Sequence, residues 1–184
     1  MRTPSMASSA STPARSLRWS QTLRGRSQVL IRTIVPQDRA AERAFLETLS
    51  SEARCFRFFG QVRSPSEQLI DRLTDLDPHS EAAFVAVIPE GSAERIVGAA
   101  RYGASVDGAA CECAVTVIDE WQNKGLGGAL MKHLIELARE RGIHRMYSVD
   151  LAENLQMRDL ARHLGFHVRV DPDDDRQVIH ELSL

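Results

Sequence analysis

The chain has 184 residues, 43% hydrophobic and 26% charged, with 23 Lys+Arg against 25 Asp+Glu, the size of one globular domain with a tail. Its longest uninterrupted apolar run, residues 82–88, falls far short of the roughly 20 residues that cross a bilayer as a helix, which excludes a helical membrane span. Cys55, Cys111 and Cys113 are an odd number with no second ligand pair at zinc-site spacing. That pattern argues against a disulfide framework and against a metal, and makes a reducing cytoplasm the expected compartment.

Charge is unevenly spread. Residues 1–27 carry five arginines, seven serines and no acid, which leaves 18 Lys+Arg against 25 Asp+Glu in the other 157 residues, a net −7. An acidic body without a basic stripe argues against nucleic acid, whose binding rests on clustered Lys and Arg. The Arg- and Ser-rich segment 1–27 has two readings, an organelle transit leader or a disordered tail with nothing to bury. The tail is the expectation, with a single domain over 28–184.

In chain order, residues 29–35 are rich in β-branched side chains and end at Pro36, which predicts a first strand. Asp38 stands where it would cap a helix running to Leu49, with Ala41, Ala44, Phe45, Leu46 and Leu49 as its apolar stripe. A second helix is expected over 51–59. A third starts at Ser64-Pro65-Ser66-Glu67, with Leu69, Ile70, Leu73 and Leu76 at helical spacing. Three strands follow as a meander, 84–88, 96–102 and 111–118. The second half alternates: helix 125–141, strand 145–149, helix 154–164, strand 166–170 and strand 177–182. The fold class is therefore α/β in the α+β sense, a mixed sheet of about seven strands with flanking helices.

One segment carries chemistry. A strand ending at Val117 feeds Gln122-Asn-Lys-Gly125-Leu-Gly127-Gly128, which opens a long amphipathic helix. The first turn of a helix has N–H groups with no internal partner and a partly positive end, and glycines let an anion approach the backbone. A Walker loop needs Gly-Lys-Ser/Thr after its glycines, and here Lys124 precedes them. The dinucleotide fingerprint fails too, because Leu130 stands where its third glycine belongs. A glycine-rich helix start that binds nothing remains open on the loop alone.

Gln122-x-x-Gly125-x-Gly127 resembles the acetyl-CoA pyrophosphate loop of the GNAT acetyltransferase superfamily. Asn154, followed by Gly165-Phe166, is similar to that superfamily's second segment, and the element order matches from about residue 29 onward. Residues 49–60, Ile96-Val-Gly-Ala-Ala-Arg-Tyr102 and the strand bearing Glu112-x-Ala114 resemble the GNAT domain of bacterial Pat-type protein lysine acetyltransferases.

The resemblance implies acetyl-CoA as cosubstrate and transfer to a primary amine. The acceptor would be a protein lysine, on a protein such as an acyl-CoA synthetase, or a small amine. A third possibility is a CoA-sensing module without turnover. The resemblance further implies that Val115, Thr116 and Val117 pair with the pantetheine arm. The pyrophosphate falls to Asn123, Lys124, Gly125, Leu126, Gly127 and Gly128, with Gln122 in the motif and Asn154 beside the CoA arm. Glu112, a carboxylate in mid-strand, is the expected general base, since a lysine amine with pKa near 10.4 lies roughly 4 kcal/mol from its nucleophilic form at neutral pH; a surface carboxylate is the alternative. The family's leaving-group acid is a tyrosine seven residues after the Asn, where this chain has Ala161. Tyr102, Tyr147 and His163 are weighed as substitutes. Cys111 and Cys113 read as core thiols, and Arg54 and Arg57 as anchors over the acceptor groove. The oligomeric state is left open.

Overall fold

A computed structural model describes residues 17–59 and 64–184. Their elements are β1 (Arg18–Thr22), β2 (Gln28–Thr33), α1 (Arg39–Thr48), α2 (Ser51–Phe58), α3 (Glu67–Thr74), β3 (Glu81–Glu90), β4 (Ala93–Ala104), β5 (Ala110–Val117), α4 (Leu126–Glu140), β6 (Arg145–Leu151), α5 (Leu155–His163), β7 (His167–Val170) and β8 (Gln177–Ser183). The strands form one sheet in the order β1-β2-β3-β4-β5-β6-β8-β7. Every neighbouring pair is antiparallel except β5 and β6. The expected mixed sheet is present with one strand more than expected. Among the described residues, no helix is long and apolar enough to cross a membrane.

Residues 82–87 of β3 are buried without a break. Side chains alternate between faces along a strand, so helices cover the sheet on both sides there. The largest of them, α4, buries Leu126, Leu130, Met131, Leu134, Ile135 and Ala138 along one stripe. It lies close to the sheet because of Gly98: a Cβ there would stand 3.1 Å from Leu130 Cδ1 and 3.2 Å from Leu126 Cδ2.

Two expectations need correction. Asp38 does not cap α1; no side-chain hydrogen bond closes that helix start. Its carboxylate turns back instead, accepting from Val35 N–H at 2.9 Å and from both terminal nitrogens of Arg32 at 2.8 and 2.7 Å. A two-point ion pair that is nearly buried outweighs one neutral cap.

The second correction concerns the tail boundary at residue 27. Residues 18–22 pair along their whole length with β2, and Leu23 is buried; residues 1–16 lie outside the described residues. What fixes β1 is Trp19, which stacks on His133 of α4 with ring centroids 3.9 Å apart and meets Phe84 edge-on at 5.1 Å. Trp19→Ala is expected to lower stability by roughly 2 kcal/mol or more, read from urea unfolding. A midpoint equal to that of the parent would show that β1 adds nothing to the fold.

Candidate active site

The sheet forks between β5 and β6. β4 holds β5 from Cys111 to Val117, but β6 pairs with it only at Ala110↔Arg145, Cys111↔Met146 and Glu112↔Tyr147. Beyond Glu112 the two strands part, while β6 stays fully paired to β8. Ile118 N–H donates to Val97 C=O across β4 at 3.1 Å, and alternation then turns the backbone of Thr116 to β4 and that of Val115 and Val117 into the fork. Two of the three residues expected to meet a pantetheine arm therefore offer it backbone groups. Thr116 does not, because its backbone serves the sheet.

From the fork a cleft of about 830 Å³ runs to the start of α4. The loop between them bends through two left-handed residues, Asn123 (φ 59°) and Gly125 (φ 87°), a conformation that Asn tolerates and Gly adopts freely. The first helical hydrogen bond runs from Ala129 N–H to Gly125 C=O, so the N–H groups of Leu126, Gly127 and Gly128 have no partner inside the helix. Successive free N–H groups at a helix start make an anion site. The loop is braced from below by Arg24 N–H, which donates to Lys124 C=O at 3.1 Å.

The side chains of the loop also make contacts within the chain. The Gln122 amide donates to Val117 C=O at 3.1 Å and to Asp119 at 3.2 Å, tying the loop to the end of β5. Lys124 Nζ lies 4.7 Å over the Trp121 ring, a cation held against an aromatic face at the cleft wall. Asn154 also lines the cleft, but its carbonyl caps α5 by accepting from Met157 N–H at 3.1 Å, leaving only the amide nitrogen free of the cap.

The other end of the cleft is charged. Glu112 is exposed at the last paired position before the fork, and Arg57 of α2 and Asp150 of β6 line the same space. Burial and the neighbouring charge of Arg101 bring the Arg57 guanidinium down to about 10, against the pull of Glu42, Glu112 and Asp150. Behind it Arg101 bonds Glu42 at 3.0 Å, and burial pushes the almost fully buried Glu42 carboxyl up. Asp150 accepts from Ser148 Oγ at 2.7 Å and lies 3.0 Å from His180 Nδ1. Sequence reasoning missed Asp150, Ser148, His180, Glu42 and Arg101. Asp150 would have had a readable signal only with the strand carried past residue 149, since a carboxylate within a strand is the feature that singled out Glu112.

Ala161, at the position of the family's tyrosine, is fully buried. Tyr102 is buried and its hydroxyl accepts from Arg141 at 3.0 Å, and Tyr147 lies under Arg145. Of the three weighed substitutes, His163 lines the cleft. Cys111 and Cys113 are buried, and burial pushes the Cys111 thiol up to about 12 and that of Cys113 well above its ordinary value. Neither supplies a thiolate at neutral pH. Among the described residues, no group of three or more His, Cys, Asp or Glu could hold a metal ion.

Residues 39–166 match the Acetyltransferase (GNAT) family. The chain is 46% identical over 166 residues to Acetyltransferase PA5475 of Pseudomonas aeruginosa, covering 90% of this chain and 89% of that one. It is 33% identical over 116 residues to Acetyltransferase Pat of Mycolicibacterium smegmatis, covering 62% of this chain but only 34% of that protein. The GNAT domain of Streptomyces lividans PAT superposes with a TM-score of 0.82 at 26% identity, over 91% of this chain and 97% of that one. A Salmonella typhimurium putative acetyltransferase solved with acetyl-CoA shares the fold at a TM-score of 0.67 and 23% identity, over 85% of this chain and 94% of that one. A forked sheet, edge N–H groups at the fork and an anion-binding helix start form a fitting cradle for acetyl-CoA, and the chain belongs to the GNAT acetyltransferase family.

Proposed function

We propose that this N-acetyltransferase moves the acetyl group of acetyl-CoA to a primary amine, the side chain of a protein lysine, with Glu112 as general base. The observation that carries the reading is the position of Glu112 at the last β5–β6 pair, where the strands part, on the same strand as the fork-facing backbone of Val115 and Val117. The N–H groups of Leu126, Gly127 and Gly128 hold the pyrophosphate. The fork edges of Val115 and Val117 pair with the pantetheine arm as an added strand would. Acetyl-CoA supplies a thioester, whose acyl carbon accepts the amine.

An ammonium must shed two protons on the way to an amide, one ending on the CoA sulfur and one in solvent. Glu112, exposed and water-accessible, takes the first and passes it outward. With Ala161 in place of a tyrosine, the thiolate leaves without a neighbouring phenol, which a pKa near 8.5 allows.

A protein acceptor is supported by the likeness to the two Pat proteins and by charge. The 157 residues after the first 27 carry a net −7, and the whole chain has two lysines, Lys124 and Lys132. Such a body attracts a lysine in a basic loop, an attraction screened over about 8 Å at physiological salt. A small amine is the second reading, favoured by Arg57: a guanidinium lining the cleft suits an acceptor that also bears a carboxylate. For the compartment we propose a reducing cytoplasm, supported by three free cysteines, two of them buried.

The test offers a purified acyl-CoA synthetase and a panel of polyamines, aminoglycosides and amino acids, at low and high salt, with transfer read by mass. Acetylation of the synthetase that slows as salt rises is expected. Efficient acetylation of a small amine with the synthetase untouched would replace the first reading by the second. Tight acetyl-CoA binding with no acceptor modified would leave a CoA-sensing module.

A further inference from the structure

The acceptor half of the cleft holds a second carboxylate that no step above uses. Asp150 lies on the stretch of β6 that has parted from β5 and lines the cleft, with its side chain 14% exposed. It is fixed from behind on one oxygen. Ser148 Oγ donates to Oδ2 at 2.7 Å, and His180 Nδ1 meets the same Oδ2 at 3.0 Å. Ser148 and His180 are themselves cross-strand partners on β6 and β8, 2% and 0% exposed, so neither donor can swing away.

His180 Nε2 is buried with no partner among the described residues. An ionised carboxylate has no proton to give, so the Nδ1 side of the ring donates to Asp150. The imidazole orients the carboxylate. Among the described residues no lysine or arginine reaches Asp150 within 4.0 Å. A carboxylate that is mostly buried, braced by two partners on Oδ2, and acted on by Arg57 only from beyond ion-pair distance costs stability unless something else uses the charge.

We infer that Asp150 Oδ1 is the anchor for the ammonium of the acceptor, holding it in the cleft that Glu112 also lines before the proton is removed. The inference rests on the amine-acetyltransferase reading and divides its labour between two carboxylates. Asp150 is braced and binds. Glu112 is exposed and moves the proton. Ser148 and His180 are positioning residues for Asp150.

The test compares the parent protein with Asp150→Asn, whose side-chain oxygen can still accept from Ser148 and His180 while the charge is gone. The acceptors are a lysine peptide and the same peptide with an aminooxy group in place of the ε-amine, which carries no charge at neutral pH. For the lysine peptide the variant is expected to raise KM roughly tenfold or more, with kcat within about threefold. For the aminooxy peptide KM should stay within about twofold, and acetyl-CoA affinity should match the parent. Equal KM changes for both peptides, or no change for either, would overturn the inference. So would a fall in kcat at constant KM, which would place Asp150 in proton transfer. Should Asp150→Asn melt early, Asp150→Ser carries the same comparison. A parent protein that acetylates no amine fails at the level of the enzyme reading, an outcome distinct from these.

Discussion

Replacing Glu112 by glutamine is expected to lower turnover roughly 10²-fold or more at pH 7 while leaving acetyl-CoA affinity unchanged. Glutamine keeps the size and the hydrogen-bonding oxygen but cannot accept a proton at neutral pH. Glu112 is exposed, at the last paired position of β5 and β6, so the fold has little stake in its charge. The deficit should narrow as pH climbs toward the amine's own pKa near 10.4, because an amine that arrives deprotonated needs no base. Turnover from release of free thiol and affinity from calorimetry separate the two quantities. Unchanged turnover at pH 7 would remove Glu112 from the mechanism, and a flat deficit across pH would show that the carboxylate acts by something other than taking a proton.

Most strands and all five helices were legible because their signal is local. The β-branched run at 29–35, the helix start at Ser64-Pro65-Ser66-Glu67 and the amphipathic run after Gly125 each specify an element without reference to the rest of the chain. β1 was not legible. Arg18-Trp-Ser-Gln-Thr22 is polar on every residue but one, and what makes it a strand is Trp19 against Phe84 of β3 and His133 of α4, contacts 65 and 114 residues away in sequence. Composition dominated by Arg and Ser describes that segment correctly and hides the single side chain that matters.

The site divides in the same way. The anion-binding helix start is a local object, readable from Gly125, Gly127 and Gly128. The fork is not, since it depends on where the β5–β6 pairing stops, and register between strands 35 residues apart leaves no mark on either strand alone. Asp150 shows how a boundary can conceal a residue. A strand ending at Val149 leaves it in a loop, where a carboxylate needs no explanation; the strand runs to Leu151, and there it does. Asn154 and Gln122 were found by motif, but the structure gives their side chains mechanical tasks, a helix cap and a tie to β5.

Gly127→Glu is expected to abolish acetyl-CoA binding without unfolding the protein. A Cβ at residue 127 would stand 3.3 Å from Leu160 Cδ2, 3.9 Å from Val117 Cγ2 and 4.0 Å from Val115 Cγ2. The nearest atom is the tip of a flexible, half-buried side chain, which can give by a few tenths of an ångström. A carboxylate in the first turn of α4 is also favourable to that helix, because it opposes the partly positive end. The same carboxylate is unfavourable to a phosphate at the same N–H groups. Two like charges about 5 Å apart at an effective dielectric near 20 repel by roughly 3 kcal/mol, on the order of 100-fold in affinity before any steric loss. Gly127→Ala supplies the bulk without the charge and should cost only a fraction of that. Calorimetry with acetyl-CoA at matched melting temperature distinguishes the cases: equal loss in both variants would make Gly127 a packing residue against Leu160, and binding intact in Gly127→Glu would move the pyrophosphate away from this loop.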